Sequence, residues 1–344
     1  MIFIFIIKRG VFELKNQRGD LRILACNSGR FFAQKVIEEI NENSGENGLL
    51  IASEEMHFAN GELKTVINES IRGNDVYIFQ DVASGEDINI NLRALKTAID
   101  AAWRSDAGHI TAVIPTFPFA RQDKAHDREG ITAASVAREI ENCHADHIIT
   151  LDIHNTAIVG FFRKARVDNL HASKNIMDFI KKSKLIDTKN LVVMPPDLGR
   201  ARLAEHYAQK LGTEMAFIYK KRNYKIANTV DKSEVIGDVA DKDVLIVDDM
   251  IDTGGTLVKA MEAVKEAGAK NVFASCSLPF FNGSAIERFD KLFSKGIMKG
   301  VIGTDAVYHK NLDKKWFHEV SVASYFAKVI SCLNNNMSIS GLLK

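Results

Sequence analysis

Several things are missing from this sequence, and each absence removes a class of protein. The four cysteines, Cys26, Cys143, Cys276 and Cys332, lie far apart and form no CxxC pair. Neither a zinc site nor a disulfide framework is indicated, and a reduced, cytoplasmic setting fits. An excess of one charge is also missing, since 45 Lys and Arg balance 44 Asp and Glu for a formal net charge of +1. Nucleic-acid binding usually wants a clearly basic surface, so no such partner is expected. No apolar run reaches the roughly 20 residues that a membrane helix needs, so no membrane is expected either. The apolar start, Met1 to Ile7, is too short for that role. Its positive charges, Lys8 and Arg9, follow the run instead of preceding it, which argues against a signal peptide. Residues 1–20 therefore read as an N-terminal extension, either an added strand or an early start. Finally, no glycine is followed by lysine anywhere. A GxxxxGK[ST] phosphate loop is thereby excluded, and with it a Walker-type kinase.

What is present is an ordinary globular balance of 46% hydrophobic and 26% charged residues in 344, enough for about two domains with real cores. Short apolar runs read as buried strands: Ile23–Ala25, Val76–Phe79, Thr111–Ile114, His147–Leu151, Leu191–Met194, Val244–Val247 and Val272–Cys276. Helix-length amphipathic stretches lie between them, at Phe31–Ile40, Leu92–Ala102, Ala133–Ile140, Ala201–Leu211 and Leu257–Ala267. Alternating β and α elements predict an α/β protein whose parallel sheets are covered by helices on both faces. The halves also resemble each other. Asp75-Val76-Tyr77-Ile78-Phe79-Gln80-Asp81 parallels Asp243-Val244-Leu245-Ile246-Val247-Asp248-Asp249, and Asp106-Ala107-Gly108 parallels Glu266-Ala267-Gly268 at a similar offset. Such self-similarity predicts tandem copies of one fold. The boundary is expected near residues 172–190, around Lys181-Lys182-Ser183-Lys184, dividing the chain into 21–172 and 173–335.

The sharpest local signal runs from Val244 to Thr256, VLIVDDMIDTGGT. Four aliphatic residues make a buried strand, and two carboxylates sit at its C-terminal end, where open α/β sheets bind ligands. A Thr/Gly turn then opens a helix whose free N–H groups and dipole suit an anion. Asp248 and Asp249 can accept from vicinal sugar hydroxyls, while Thr253 and Thr256 add hydroxyl donors. The combination suits a sugar phosphate, with the diol on the carboxylates and the phosphate on the loop.

This string resembles the phosphoribosyl-pyrophosphate-binding fingerprint of the type I phosphoribosyltransferase fold. Five further segments are similar to the ribose-phosphate pyrophosphokinase family: Phe58-Ala59-Asn60-Gly61-Glu62, Ser70 to Val76, Phe117 to Asp123, Asp146 to His154, and Phe161-Phe162 with Val167 to Leu170. The resemblance covers about residues 22–341. The resemblance implies two tandem, duplicated type I phosphoribosyltransferase-like domains. It also implies transfer of the pyrophosphoryl group of ATP to ribose 5-phosphate.

The resemblance assigns roles residue by residue. Phe58, Asn60 and Glu62 fall in a loop that reaches the adenine of a neighbouring subunit, so a homo-oligomer, commonly a hexamer, is implied. Arg121, Gln122 and Asp123 fall in the ATP loop. Asp248, Asp249, Asp252, Thr253, Gly254, Gly255 and Thr256 would bind ribose 5-phosphate. His154 and Asp197 match positions for Mg²⁺, and Lys220 and Arg222 match a catalytic pair on a flap. One departure stands out. The similar pyrophosphate loop usually reads Pro-Asp-x-Gly-Gly, whereas this one reads Pro196-Asp197-Leu198-Gly199-Arg200. Arg200 either adds a phosphate ligand or crowds the loop if a positive φ is needed there. Two other readings stay open from sequence alone. One is a phosphoribosyltransferase, which would need only one copy of the fold. The other is a catalytically silent regulatory homologue, which would be expected to lose the flap cations.

Overall fold

The computed structural model describes residues 17–45, 47–83, 87–221, 232–309 and 312–343. Residues 1–16 of the expected extension and Arg222 lie outside the described residues.

The first half runs β1 (Leu21–Ala25), α1 (Arg30–Ser44), β2 (Ser53–His57), β3 (Leu63–Ile67), β4 (Asp75–Phe79), α2 (Ile88–Arg104), β5 (His109–Val113), α3 (Thr132–Asn142), β6 (His147–Leu151) and β7 (Arg166–Leu170). The second runs α4 (Ser173–Ser183), β8 (Leu191–Met194), α5 (Ala201–Leu211), β9 (Glu214–Met215), β10 (Phe217–Lys221), β11 (Lys232–Ile236), β12 (Asp243–Ile251), α6 (Gly255–Glu266), β13 (Asn271–Pro279), α7 (Ala285–Ser294), β14 (Gly300–Thr304), β15 (Phe317–Val320) and α8 (Ala323–Asn334).

One parallel sheet has the order β1-β4-β5-β6-β7, and the other, read from its short edge strand, β9-β8-β12-β13-β14-β15. Without β9, the two orders correspond strand for strand. The repeated segments sit at equivalent places, because β4 and β12 are each the second strand of this shared order. Duplication is thus visible in topology as well as in sequence. Two antiparallel hairpins, β2–β3 and β10–β11, branch from this frame.

Period-two alternation sorts each buried strand between two cores. Tyr77 and Phe79 of β4, and Leu245 and Val247 of β12, join one shared cluster. Val76 and Ile78 turn outward against α2 and α3, and Val244 and Ile246 turn outward against α6 and α7. The shared cluster includes α1, α4, α5 and α8, so these helices form the layer between the sheets. The C-terminal helix α8 lies against α1 near the start of the chain. There the Asn334 amide donates to the Gly19 carbonyl and to Asp75, each at 3.0 Å.

Candidate active site

The site begins with a strand that is longer than its apolar run. Sequence patterning ends it at Val247, but β12 continues to Ile251, with Asp248 opposite Cys276 and Met250 opposite Leu278. The carboxylates therefore stand on paired sheet backbone and not on a loose turn. Burial pushes the Asp248 carboxyl upward, and the neighbouring Asp249 adds to this. Burial pushes Asp249 up as well, but hydrogen bonds from His154 and Asp248 and the charge of Arg200 outweigh it and hold Asp249 below the usual carboxylate range.

Asp252, Thr253 and Gly254 turn the chain into α6, whose first helical bond runs from Val258 N–H to the Gly254 carbonyl at 2.9 Å. Gly254 has φ +71°, a conformation open to glycine at little cost. Asp252 is held from two sides, by Arg121 at 2.7 Å and by the Asn282 amide at 2.9 Å. The Arg288 guanidinium donates to the Thr253 carbonyl at 2.9 Å. Arg121 belongs to the first half and Asp252 to the second, so this ion pair joins the two halves at the site.

His154 follows β6 on a turn pinned by Asp152, which sits at φ +40°. A non-glycine residue there is a strained feature that its surroundings must hold. The Asp152 carboxylate accepts from Ala172 N–H at 3.0 Å, from His171 Nδ1 at 2.7 Å, and from the Ser277 hydroxyl on β13. The bond from His171 raises that imidazole above its ordinary value against the effect of burial. Sequence reasoning missed Asp152 as a positioning residue, because its partners come from two distant segments, His171–Ala172 and Ser277 on β13.

Asp197 caps a short turn at residues 198–200, accepting from Gly199 N–H at 3.0 Å. Arg200 then has φ −104°, so no left-handed backbone is required and the substitution does not strain the loop. Its guanidinium reaches Asp249 at 2.8 Å, Asp248 at 3.3 Å, the His154 ring at 2.5 Å and the His154 carbonyl at 3.3 Å. Nδ1 of His154 also lies 2.9 Å from Asp249. That nitrogen can donate to Asp249 or accept from Arg200, but not both, and when it donates Nε2 is left as an acceptor.

These groups line one polar cavity of about 380 Å³, together with Arg121, Asp197 and residues 250–257. A second cavity of about 430 Å³ adjoins it, sharing Arg121, His154, Met250 and Asp252. Its walls are more apolar, with Phe117, Phe119, Ile153, Leu278 and Phe280 beside Gln122. The expected sugar-phosphate residues, His154, Asp197 and Arg121 are thus brought together. Asp123 lies outside both cavities, where it accepts from the Asn155 amide. Phe58, Asn60 and Glu62 sit at the tip of the β2–β3 hairpin and line neither cavity; Phe58 is 44% exposed. Lys220 lies on the β10 backbone, and its side chain is outside the described residues.

Among the described residues no group of three or more His, Cys, Asp or Glu is placed to hold a metal. Mg²⁺ asks for less than that, since it is usually bound through one or two carboxylates, several waters and substrate phosphates. Asp197 offers one such carboxylate on the wall of the cavity that His154 also lines, and a histidine nitrogen is a less usual ligand for this ion.

Comparison with known proteins agrees with this geometry. A sequence profile for the N-terminal domain of ribose phosphate pyrophosphokinase matches residues 21–143, and one for a phosphoribosyl transferase domain matches residues 166–302. The ribose-phosphate pyrophosphokinase of Corynebacterium efficiens is 39% identical over 289 residues, covering 83% of this chain and 86% of its own. That of Clostridium perfringens is 35% identical over 333 residues, covering 96% of this chain and all of its own length (100%). The chain belongs to the ribose-phosphate pyrophosphokinase family. Family membership extends to the three-dimensional structure. The crystal structure of phosphoribosylpyrophosphate synthetase from Mycobacterium smegmatis matches with a TM-score of 0.82 at 32% identity, covering 92% of this chain and 99% of that one. The expected duplicated α/β fold and the enzyme class both stand. No helix among the described residues is long and apolar enough to cross a membrane.

Proposed function

We propose that the chain converts ATP and ribose 5-phosphate to AMP and 5-phosphoribosyl 1-pyrophosphate in the cytoplasm, with Mg²⁺ as its divalent cation. The observation that carries this reading is the meeting of two cavities at Arg121, His154 and Asp252, one polar and acidic, the other apolar. A sugar phosphate suits the first and a purine nucleotide the second. In this reading residues 21–172 supply the nucleotide side and residues 173–335 the sugar side.

Asp248 and Asp249 accept from the vicinal sugar hydroxyls, and the N–H groups and hydroxyls of Thr253 to Thr256 take the 5-phosphate. The 1-hydroxyl is thereby aimed at the β-phosphorus of ATP. Its oxygen forms the new P–O bond, the bond to the α–β bridging oxygen breaks, AMP leaves with that oxygen, and the hydroxyl proton passes to solvent. Arg121 and Gln122 hold the nucleotide. Lys220 and Arg222 would balance charge on the transferring group, which is most of what such a transfer asks of a protein. His154 and Asp197 would hold Mg²⁺, which would supply charge neutralisation at the phosphates when bound. Phe58, Asn60 and Glu62, exposed on their hairpin, suit contact with the adenine of a second subunit, so a homo-oligomer is part of the proposal.

The test is to incubate the purified chain with Mg-ATP and ribose 5-phosphate and identify the nucleotide formed. AMP in step with sugar consumption supports the reading, and stoichiometric ADP overturns it. Lys220→Ala and Arg222→Ala should each lower kcat by about 10²–10³, the cost of losing one preorganised donor, while folding stays normal. No turnover by the parent with both substrates bound would instead indicate a silent regulatory homologue.

A further inference from the structure

Arg200 is the one charged residue lining the acidic cavity that the expected chemistry leaves without a role. It stands where the similar loop carries glycine, yet it makes more polar contacts than any neighbour in that loop. We propose that Arg200 is an internal counter-cation: it occupies the carboxylates of the empty site and keeps out a free divalent cation, so that metal enters only together with a phosphate-bearing substrate. This rests on the reading above, in which this cavity takes the sugar and the metal.

The argument is electrostatic and geometric. A guanidinium stays charged at every working pH and cannot be neutralised by burial. This one is only 20% exposed and lies 2.8 Å from Asp249 and 3.3 Å from Asp248. Asp249 in turn touches His154 at 2.9 Å, and the same guanidinium reaches that imidazole. One positive group therefore sits at the common centre of the two carboxylates and the proposed metal-binding histidine. A free cation arriving there meets like charge a few ångström away and carboxylate oxygens already engaged.

A phosphate-bearing substrate changes both conditions. It supplies anionic oxygens of its own, which are the ligands Mg²⁺ normally takes alongside one or two protein groups. It also offers the guanidinium a new partner, since the planar fork binds phosphate in two-point fashion. Asp197 lies three residues before Arg200 on the same short turn, so a swing of Arg200 toward phosphate would leave the second proposed metal ligand in place. The arrangement would keep the empty enzyme from trapping metal alone on its sugar-binding carboxylates.

The experiment titrates Mn²⁺ alone into the substrate-free protein and follows free Mn²⁺ by electron paramagnetic resonance. Arg200→Ala should bind one Mn²⁺ at least about 10-fold more tightly than the parent, a modest demand for removing a unit charge a few ångström away. Adding Asp249→Asn to that variant should abolish the gain. If Arg200→Ala binds Mn²⁺ no more tightly than the parent, or if the gain survives loss of Asp249, the proposal is overturned. Arg200→Gln, shorter and uncharged but still a donor, carries the same expectation should the alanine variant unfold. The titration needs neither substrate. A negative result alongside AMP formation removes only the role of Arg200, whereas ADP formation removes the reaction.

Discussion

Gly254 shows how much of the site hangs on one backbone conformation. At φ +71° an added Cβ would lie 3.0 Å from Cζ and 3.1 Å from Cε2 of Phe289. Phe289 is fully buried against Phe281 and Trp316, so it has little room to yield. We expect Gly254→Ala to cost about 1–3 kcal/mol and to weaken ribose 5-phosphate binding, which calorimetric titration reads directly. Unchanged affinity would mean that this turn does not shape the phosphate loop. Glu141 is a second single residue on which local structure depends, outside the lining of both cavities. Burial pushes its carboxyl up, but backbone N–H donors at Lys164, Ala165 and Arg163 outweigh that and hold it below the usual range. A depressed carboxyl adds stability above its unfolded pKa of about 4.3 and loses it as the pH falls through the lower folded value. Glu141→Gln should therefore destabilise by about 1–2 kcal/mol at pH 7, and the gap from the parent should close in acid. A gap that stays constant from neutral pH to pH 3 in thermal melts would refute this account.

Secondary elements differ in how much of themselves they write into the sequence. Strands β4 and β8, buried on both faces, read as continuous apolar runs because nothing polar can stand there unpaired. Strand β12 was legible only to Val247, since Asp248 and Asp249 look like the start of a turn until the pairing with β13 is seen. The β2–β3 hairpin left little trace. Its strand Ser53–His57 is polar and largely exposed, so no core pressure imposes an alternating pattern. The strand-turn-helix of Val244 to Thr256 was legible, because strand, acidic pair, glycine turn and helix are consecutive. The grip of Asp152 on two distant segments and the reach of Arg200 across the cavity were not, because both depend on tertiary contact. Helix α8 belongs with these. Its apolar face is plain, but nothing local says that it docks on α1. Phe326 is fully buried there, edge-on to Phe32 at 5.0 Å. Phe326→Ala should cost about 3–5 kcal/mol, read by chemical denaturation. The exposed Phe58→Ala should change stability by less than about 0.5 kcal/mol and act only on nucleotide binding. Equal stability losses in the two variants would contradict this placement of α8.

At the scale of the whole molecule, the shared core matters more than the duplication. Ile23 and Phe79 of the first sheet, Leu245 and Ile302 of the second, and Ile330 of α8 belong to one buried cluster. Two copies of a fold with separate cores would melt independently, whereas copies joined through one core should not. We expect scanning calorimetry to show one cooperative transition, with calorimetric and van't Hoff enthalpies in agreement. Two resolved transitions would show that the interleaved helices contribute little. The place of β12 between β8 and β13 carries this into the time domain. Its amides are shielded on both sides and can exchange with solvent only when the sheet itself opens, so Leu245 to Val247 should be among the last to take up deuterium. The proposed sugar-binding carboxylates ride on that strand, while the proposed adenine contacts ride on an exposed hairpin. As the protein is warmed, it should forget its nucleotide well before it forgets its sugar.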